Sequence, residues 1–136
     1  MKKFSKVLYL FSFFALFAFA LIETNPPDIS DKVISALSAG NATELAKYFN
    51  TNIELAILDK EDIYSNVQAE VIVKDFFSKN KPVKYTKMHQ GGKEGAKFVI
   101  GNLVTSNGTY RVYFLIKDIK GKYFIHTLRF ELPNEK

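Results

Sequence analysis

The sequence predicts an α+β domain of order α-α-β-α-β-β-β-β, with the helices on one face of a curved antiparallel sheet. Three observations predict it: two capped helical patterns in tandem, a third capped helix in mid-chain, and four strand-like runs separated by Gly-containing turns. Ahead of that domain, residues 1–20 read as a secretory leader. Lys2, Lys3 and Lys6 precede an apolar run from Val7 to Ile22 broken only by Ser12, and Ala18-Phe19-Ala20 supplies small residues at a signal-peptidase spacing. The run is shorter than the about 20 apolar residues a bilayer-spanning helix needs. Cleavage after Ala20 is therefore expected, rather than an uncleaved anchor, and the protein is expected in the periplasm or outside the cell. Residues 21–27, with Pro26-Pro27, form a short linker, and 28–133 form a single domain.

The 136-residue chain has a net charge of +5, of which the leader carries three lysines and no acid, so the mature charge is +2. Six of the 13 phenylalanines leave with the leader. A mature charge this small gives no nucleic-acid footprint. The chain has no cysteine, which excludes disulfides and a lipobox thiol despite the export route.

Asp28 or Ser30 can cap a first helix whose apolar positions are Ile29, Val33, Ile34 and Leu37, and Gly40 stops it. Asn41-Ala42-Thr43-Glu44 then offers an Asn cap with Glu three residues on, opening a short second helix through Leu45, Tyr48 and Phe49. Ile53, Leu55 and Ile57 alternate with Glu54 and Ala56 as a strand, followed by a turn at Asp59-Lys60-Glu61-Asp62. Ser65-Asn66-Val67-Gln68 is a capping box for the longest helix, to about Lys79, with Val67, Val71, Ile72, Phe76 and Phe77 on its buried stripe. Four strands follow over 83–90, 96–105, 109–118 and 122–132. Gly91-Gly92, Asn107-Gly108 and Lys120-Gly121 mark their turns.

This order resembles the NTF2-like (cystatin-like) superfamily, whose sheet and helices form a cone. More narrowly, Ser38-Ala39-Gly40-Asn41 with Leu45-Ala46-Lys47-Tyr48-Phe49, Tyr64-Ser65 with Gln68-Ala69-Glu70, Asp75-Phe76-Phe77 and Tyr110-Arg111-Val112-Tyr113-Phe114 are similar to DUF4783, a family of small exported bacterial proteins without an assigned activity. The resemblance spans nearly all of the mature chain and implies a fold. It carries over no functional residues.

With Asn107-Gly108 and Lys120-Gly121 as two-residue turns, Asn102 opposes Tyr113, Val104 opposes Arg111 and Leu115 opposes His126. One sheet face then carries Phe98, Ile100, Asn102, Val104, Arg111, Tyr113, Leu115, Phe124, His126, Leu128 and Phe130. The other carries Val99, Leu103, Val112, Phe114, Ile116, Tyr123, Ile125, Thr127 and Arg129. On the first face Asn102, Arg111, Tyr113 and His126 are the strongly polar groups of an apolar field, which is the usual form of a small-ligand site. They are the candidate binding residues, for an anionic or carbonyl-bearing ligand, unless they only satisfy one another. The second face is too apolar to be solvated and is expected to pack against a second copy, unless the two faces are exchanged.

Catalysis is the weaker reading. His126 could act as a general base with Tyr113 as hydrogen-bond donor, as in an isomerase, dehydratase or hydrolase, but no spacing places Glu54 or Glu70 beside them. His89, the only other histidine, has no ligand-like spacing around it, so neither a metal nor a cofactor is expected. Gly91-Gly92-Lys93-Glu94-Gly95 lacks the ending and the following helix of a phosphate loop. The sequence therefore points to an exported, non-catalytic binding or interaction module.

Overall fold

The computed structural model describes residues 28–133. The leader and linker assigned to 1–27 lie outside those residues.

Helix α1 spans Ile29–Ala39 and α2 Ala42–Ala46, with Gly40 between them in the left-handed region at φ 64°. That conformation lets the Gly40 and Asn41 amides donate to Leu37 and Ala36 carbonyls at 3.1 and 3.0 Å, closing the end of α1. The Asn41 side chain accepts the Glu44 amide at 3.0 Å and starts α2. Strand β1 is Phe49–Ile57, β2 Lys60–Ser65, and α3 Asn66–Lys79. The Ser65 capping box forms in full: Ser65 Oγ accepts the Gln68 amide and Gln68 Oε1 accepts the Ser65 amide. Strands β3 (Pro82–Lys93), β4 (Ala96–Thr105), β5 (Gly108–Ile119) and β6 (Lys122–Glu131) complete the chain.

The six strands form one open sheet in the order β2-β1-β6-β5-β4-β3. After the β1–β2 hairpin, α3 carries the chain to the far edge, and three hairpins return it to β1. β6 therefore pairs parallel to β1 while the other pairings are antiparallel, so the sheet is mixed. Lys60–Ser65, expected in part as a turn, is an edge strand. Its charged Lys60, Glu61 and Asp62 suit an edge that discourages further pairing, and they are what made it read as a turn.

The helices cover one face of the sheet, where Val99, Leu103, Val112, Phe114, Ile116, Ile125, Leu128 and Phe130 pack against Val33, Leu37, Val73, Phe76 and Phe77. This is the face expected to meet a second copy. It is the chain's own core, so the two expected faces are exchanged and no partner can pack there. The stripe of α3 also differs: Ala69, Val73, Phe76 and Phe77 are buried, whereas Val67 and Val71 are 69% and 63% exposed. Small Ala69 lets the helix approach the sheet, and the larger valines turn outward.

Two turns depart from expectation. Gly91-Gly92 lies within β3, because the ring of Phe98 occupies the space a side chain at Gly91 would need; the turn falls at Glu94-Gly95. In the β4–β5 hairpin, Thr105 pairs with Gly108, so the loop is Ser106-Asn107. Asn107 stays exposed, but its side-chain amide Nδ2 donates to Asn80 Oδ1 at 3.2 Å. No helix among the described residues is long and apolar enough to cross a membrane.

Candidate functional site

The face of the sheet away from the helices carries the candidate residues, and the pairings place them in transverse rows. One row holds Asn102 on β4, Arg111 on β5 and Glu131 on β6. The next crosses all six strands: His89, Ile100, Tyr113, Arg129, Ala56 and Glu61. The third holds Gly91, Phe98, Leu115, Thr127, Glu54 and Ile63.

Asn102, Arg111 and Tyr113 therefore share one face, as expected, although Asn102 opposes Arg111 rather than Tyr113. The hairpin is displaced by two residues, which preserves the alternation. His126 reaches the same side by another route. The β5–β6 register shifts between Leu115 and Ile116, so that Ile116 faces Ile125 while Leu115 faces Thr127, leaving His126 as the extra residue of a β-bulge. The bulge turns Leu128 and Phe130 into the core and Thr127 and Arg129 outward, which reverses the expectation for all four. The apolar spacing Ile125, Leu128, Phe130, three residues and then two, is the signal in the sequence that carries this bulge.

The bulge also builds contacts that spacing alone did not reveal. Thr127 Oγ1 donates to Glu54 Oε2 at 3.2 Å and lies 3.1 Å from His126 Nδ1. With its hydroxyl proton donated to Glu54, the Thr127 oxygen has lone pairs free to accept a proton from His126 Nδ1. Glu70 lies on α3, across the sheet from this chain of groups. Arg129 reaches over the small side chain of Ala56 to bond Glu61 Oε1 at 2.7 Å.

Around these polar groups lie Phe98, Ile100, Tyr113, Leu115 and Phe124, all half-buried. Phe98 and Tyr113 stack with centroids 6.1 Å apart, and His89 lies 5.8 Å from Phe98 on the other side. The four candidates thus sit on an open sheet face instead of lining an enclosed pocket. The largest cavities described are lined by other residues, among them a cleft of about 510 Å³ between α3 and the β1–β2 hairpin. Among the described residues no group of three or more His, Cys, Asp or Glu side chains is placed to hold a metal ion.

The described region is matched over residues 30–131 by a family model whose description is a domain of unknown function, DUF4783. The crystal structure of a DUF4783 family protein from Bacteroides uniformis is 34% identical with a TM-score of 0.75, covering 79% of this chain and 100% of that one. One from Bacteroides ovatus, also 34% identical, has a TM-score of 0.73 and covers 76% and 94%. An NTF2-like protein of unknown function from Cytophaga hutchinsonii shares the fold at 18% identity, with a TM-score of 0.57 and coverage of 80% and 92%. A comparison with curated proteins finds no match.

Proposed function

The chain belongs to the DUF4783 family, a domain of unknown function with an NTF2-like fold, and from that premise we propose that it is an exported, non-catalytic interaction module whose outer sheet face docks a second copy of the chain. One observation carries this reading: five large apolar side chains, Phe98, Ile100, Tyr113, Leu115 and Phe124, stand half-buried on a sheet face that no helix among the described residues covers. The face carries charges of both signs: Arg111, Lys117 and Arg129, with Lys84, Lys93 and Lys122 on the same side of the sheet, lie beside Glu54, Glu61 and Glu131, so a second copy can set the acids of one against the bases of the other. Asn102 and Arg111 add directional hydrogen bonds at one end of the face. Export rests on the leader at residues 1–20.

Sedimentation velocity tests this reading. The protein should run as a dimer, and Leu115→Glu, which places a charge at the centre of the face, should give a folded monomer by circular dichroism. A monomeric wild type, or a dimer indifferent to Leu115→Glu, overturns it.

A second reading, an enzyme with His126 as base and Tyr113 as donor, has one observation in its favour: the His126–Thr127–Glu54 chain, which orients the imidazole. The open face supports it less well, since among the described residues nothing there encloses a substrate from water.

A further inference from the structure

The cleft between α3 and the β1–β2 hairpin is separate from the sheet face just described; its floor is the edge of the core, while Leu58, Lys60 and Val71 at its mouth are exposed. Its floor is apolar, formed by Leu55 and Ile57 of β1, Tyr64 of β2, and Ile72 and Phe76 of α3. Its volume of about 510 Å³ falls inside the range of small-molecule sites, about 300 to 1,000 Å³. Two features of its mouth are unusual. Val71 and Leu58, which also line it, are 63% and 44% exposed, so the apolar surface continues outward as two lips. Leu58 also holds φ +57° at the tip of the β1–β2 hairpin, a conformation that such turns normally give to glycine. A leucine kept there bears backbone strain, and what its side chain adds is apolar surface at the cleft mouth.

The rim is cationic. Lys60 and Lys79 stand on it against a single acid, Asp75, which is already bonded to Lys79 at 3.0 Å. Lys60 makes no ion pair among the described residues. The Tyr64 hydroxyl, also lining the cleft, has no hydrogen-bond partner among them either.

From this combination we infer that the cleft binds a single-chain amphiphile with an anionic headgroup, its alkyl chain along Leu55, Ile57, Ile72 and Phe76 and its head at Lys60. One uncompensated lysine at the mouth of an apolar slot selects an anion over a cation of the same chain length. One slot of this volume selects one chain over a two-chain lipid.

Fluorescence titration of the full chain with dansyl-undecanoate, kept below its micelle concentration, tests the inference. Binding should be saturable and reversed by dodecanoate but not by dodecylammonium. Lys60→Glu should weaken it roughly tenfold, the effect of one charge-assisted contact, and invert the preference between those two competitors. Val71→Asp, at an exposed position, should weaken it without unfolding the chain. Leu58→Gly should weaken it while leaving the melting temperature equal or higher, because glycine relieves the strain as it removes the lip. The inference is overturned by absence of saturable binding, by equal displacement with dodecylammonium, or by sensitivity to Leu115→Glu rather than Val71→Asp, which would place the probe on the outer sheet face. It is equally overturned if the free probe fails to bind while vesicles of a two-chain anionic phospholipid sediment the chain in a Val71-dependent manner, which would assign the cleft to a membrane surface.

Discussion

The Tyr110 hydroxyl donates to Asn80 Oδ1 at 2.8 Å inside the protein, and that bond ties the end of α3 to the β4–β5 hairpin. Asn80 is 7% exposed and fully used: its amide nitrogen donates to Phe76 O at 3.1 Å, and its oxygen also receives Asn107. Replacing Asn80 with alanine leaves a buried hydroxyl without an acceptor, at a cost of about 1 to 3 kcal/mol. Tyr110→Phe removes the donor and leaves Asn80 satisfied by Asn107, for about 1 kcal/mol. Denaturant melts should rank the two in that order; an equal or reversed ranking means the bond is incidental.

Phe76→Ala should destabilise the domain by about 3 to 5 kcal/mol. Its ring lies 4.7 Å from that of Phe130 and 5.1 Å from that of Tyr110, so truncation empties the centre of the core. Val71→Ala, on the exposed side of the same helix, should change stability by less than about 0.5 kcal/mol. Equal losses at both positions would contradict the observed helical face.

These two positions mark what was legible in the sequence and what was not. Helix caps were legible because Ser65 with Gln68, Asn41 and Gly40 act within a few residues, and local chemistry decides them. The pairing of Asn102 and Arg111 on one face survived a displaced turn because a two-residue slip keeps the alternation. The bulge at His126 inverted the face of every later β6 residue, and the exchange of core and outer face followed. Edge strand β2 and the outward valines of α3 were hidden for a different reason, since charge and bulk describe a residue's own preference and not what packs against it. Glu54 and Thr127 were beyond reach because β1 and β6 are 73 positions apart and meet only in the parallel pairing.

Stability should carry a pH-dependent contribution from Asp28. The Lys97 ammonium, donating at 2.7 Å, holds the Asp28 carboxyl below its ordinary value; the Ser30 hydroxyl adds to this and partial burial opposes it. A depressed folded-state pKa stabilises the fold above the ordinary carboxylate range, and the contribution disappears as pH falls through the folded value. Both side chains are more than a third exposed, so solvent screening keeps the effect under about 1 kcal/mol. Thermal melts of wild type and Lys97→Gln should therefore differ at neutral pH and converge as pH falls below the ordinary carboxylate range. A difference unchanged at acid pH would assign it to packing of the lysine stem.

Gly101 and Gly91 should respond to alanine to very different degrees. A Cβ at Gly101 would meet the Thr86 carbonyl oxygen and the ring of Tyr85, whose hydroxyl is fixed to Val112 O at 3.1 Å across the core. Neither neighbour can yield without moving backbone or breaking that buried bond, so Gly101→Ala should cost about 3 kcal/mol or more. A Cβ at Gly91 would stand 2.8 Å from the edge of the Phe98 ring, which is half-buried on the open face and can rotate aside. Gly91→Ala should then cost less than about 1 kcal/mol while displacing Phe98 from its stack on Tyr113. If the outer face docks a second copy, the same substitution weakens the dimer in sedimentation velocity, so stability and assembly separate at one position. A large stability loss at Gly91 would instead mean that Phe98 is held as rigidly as a core residue.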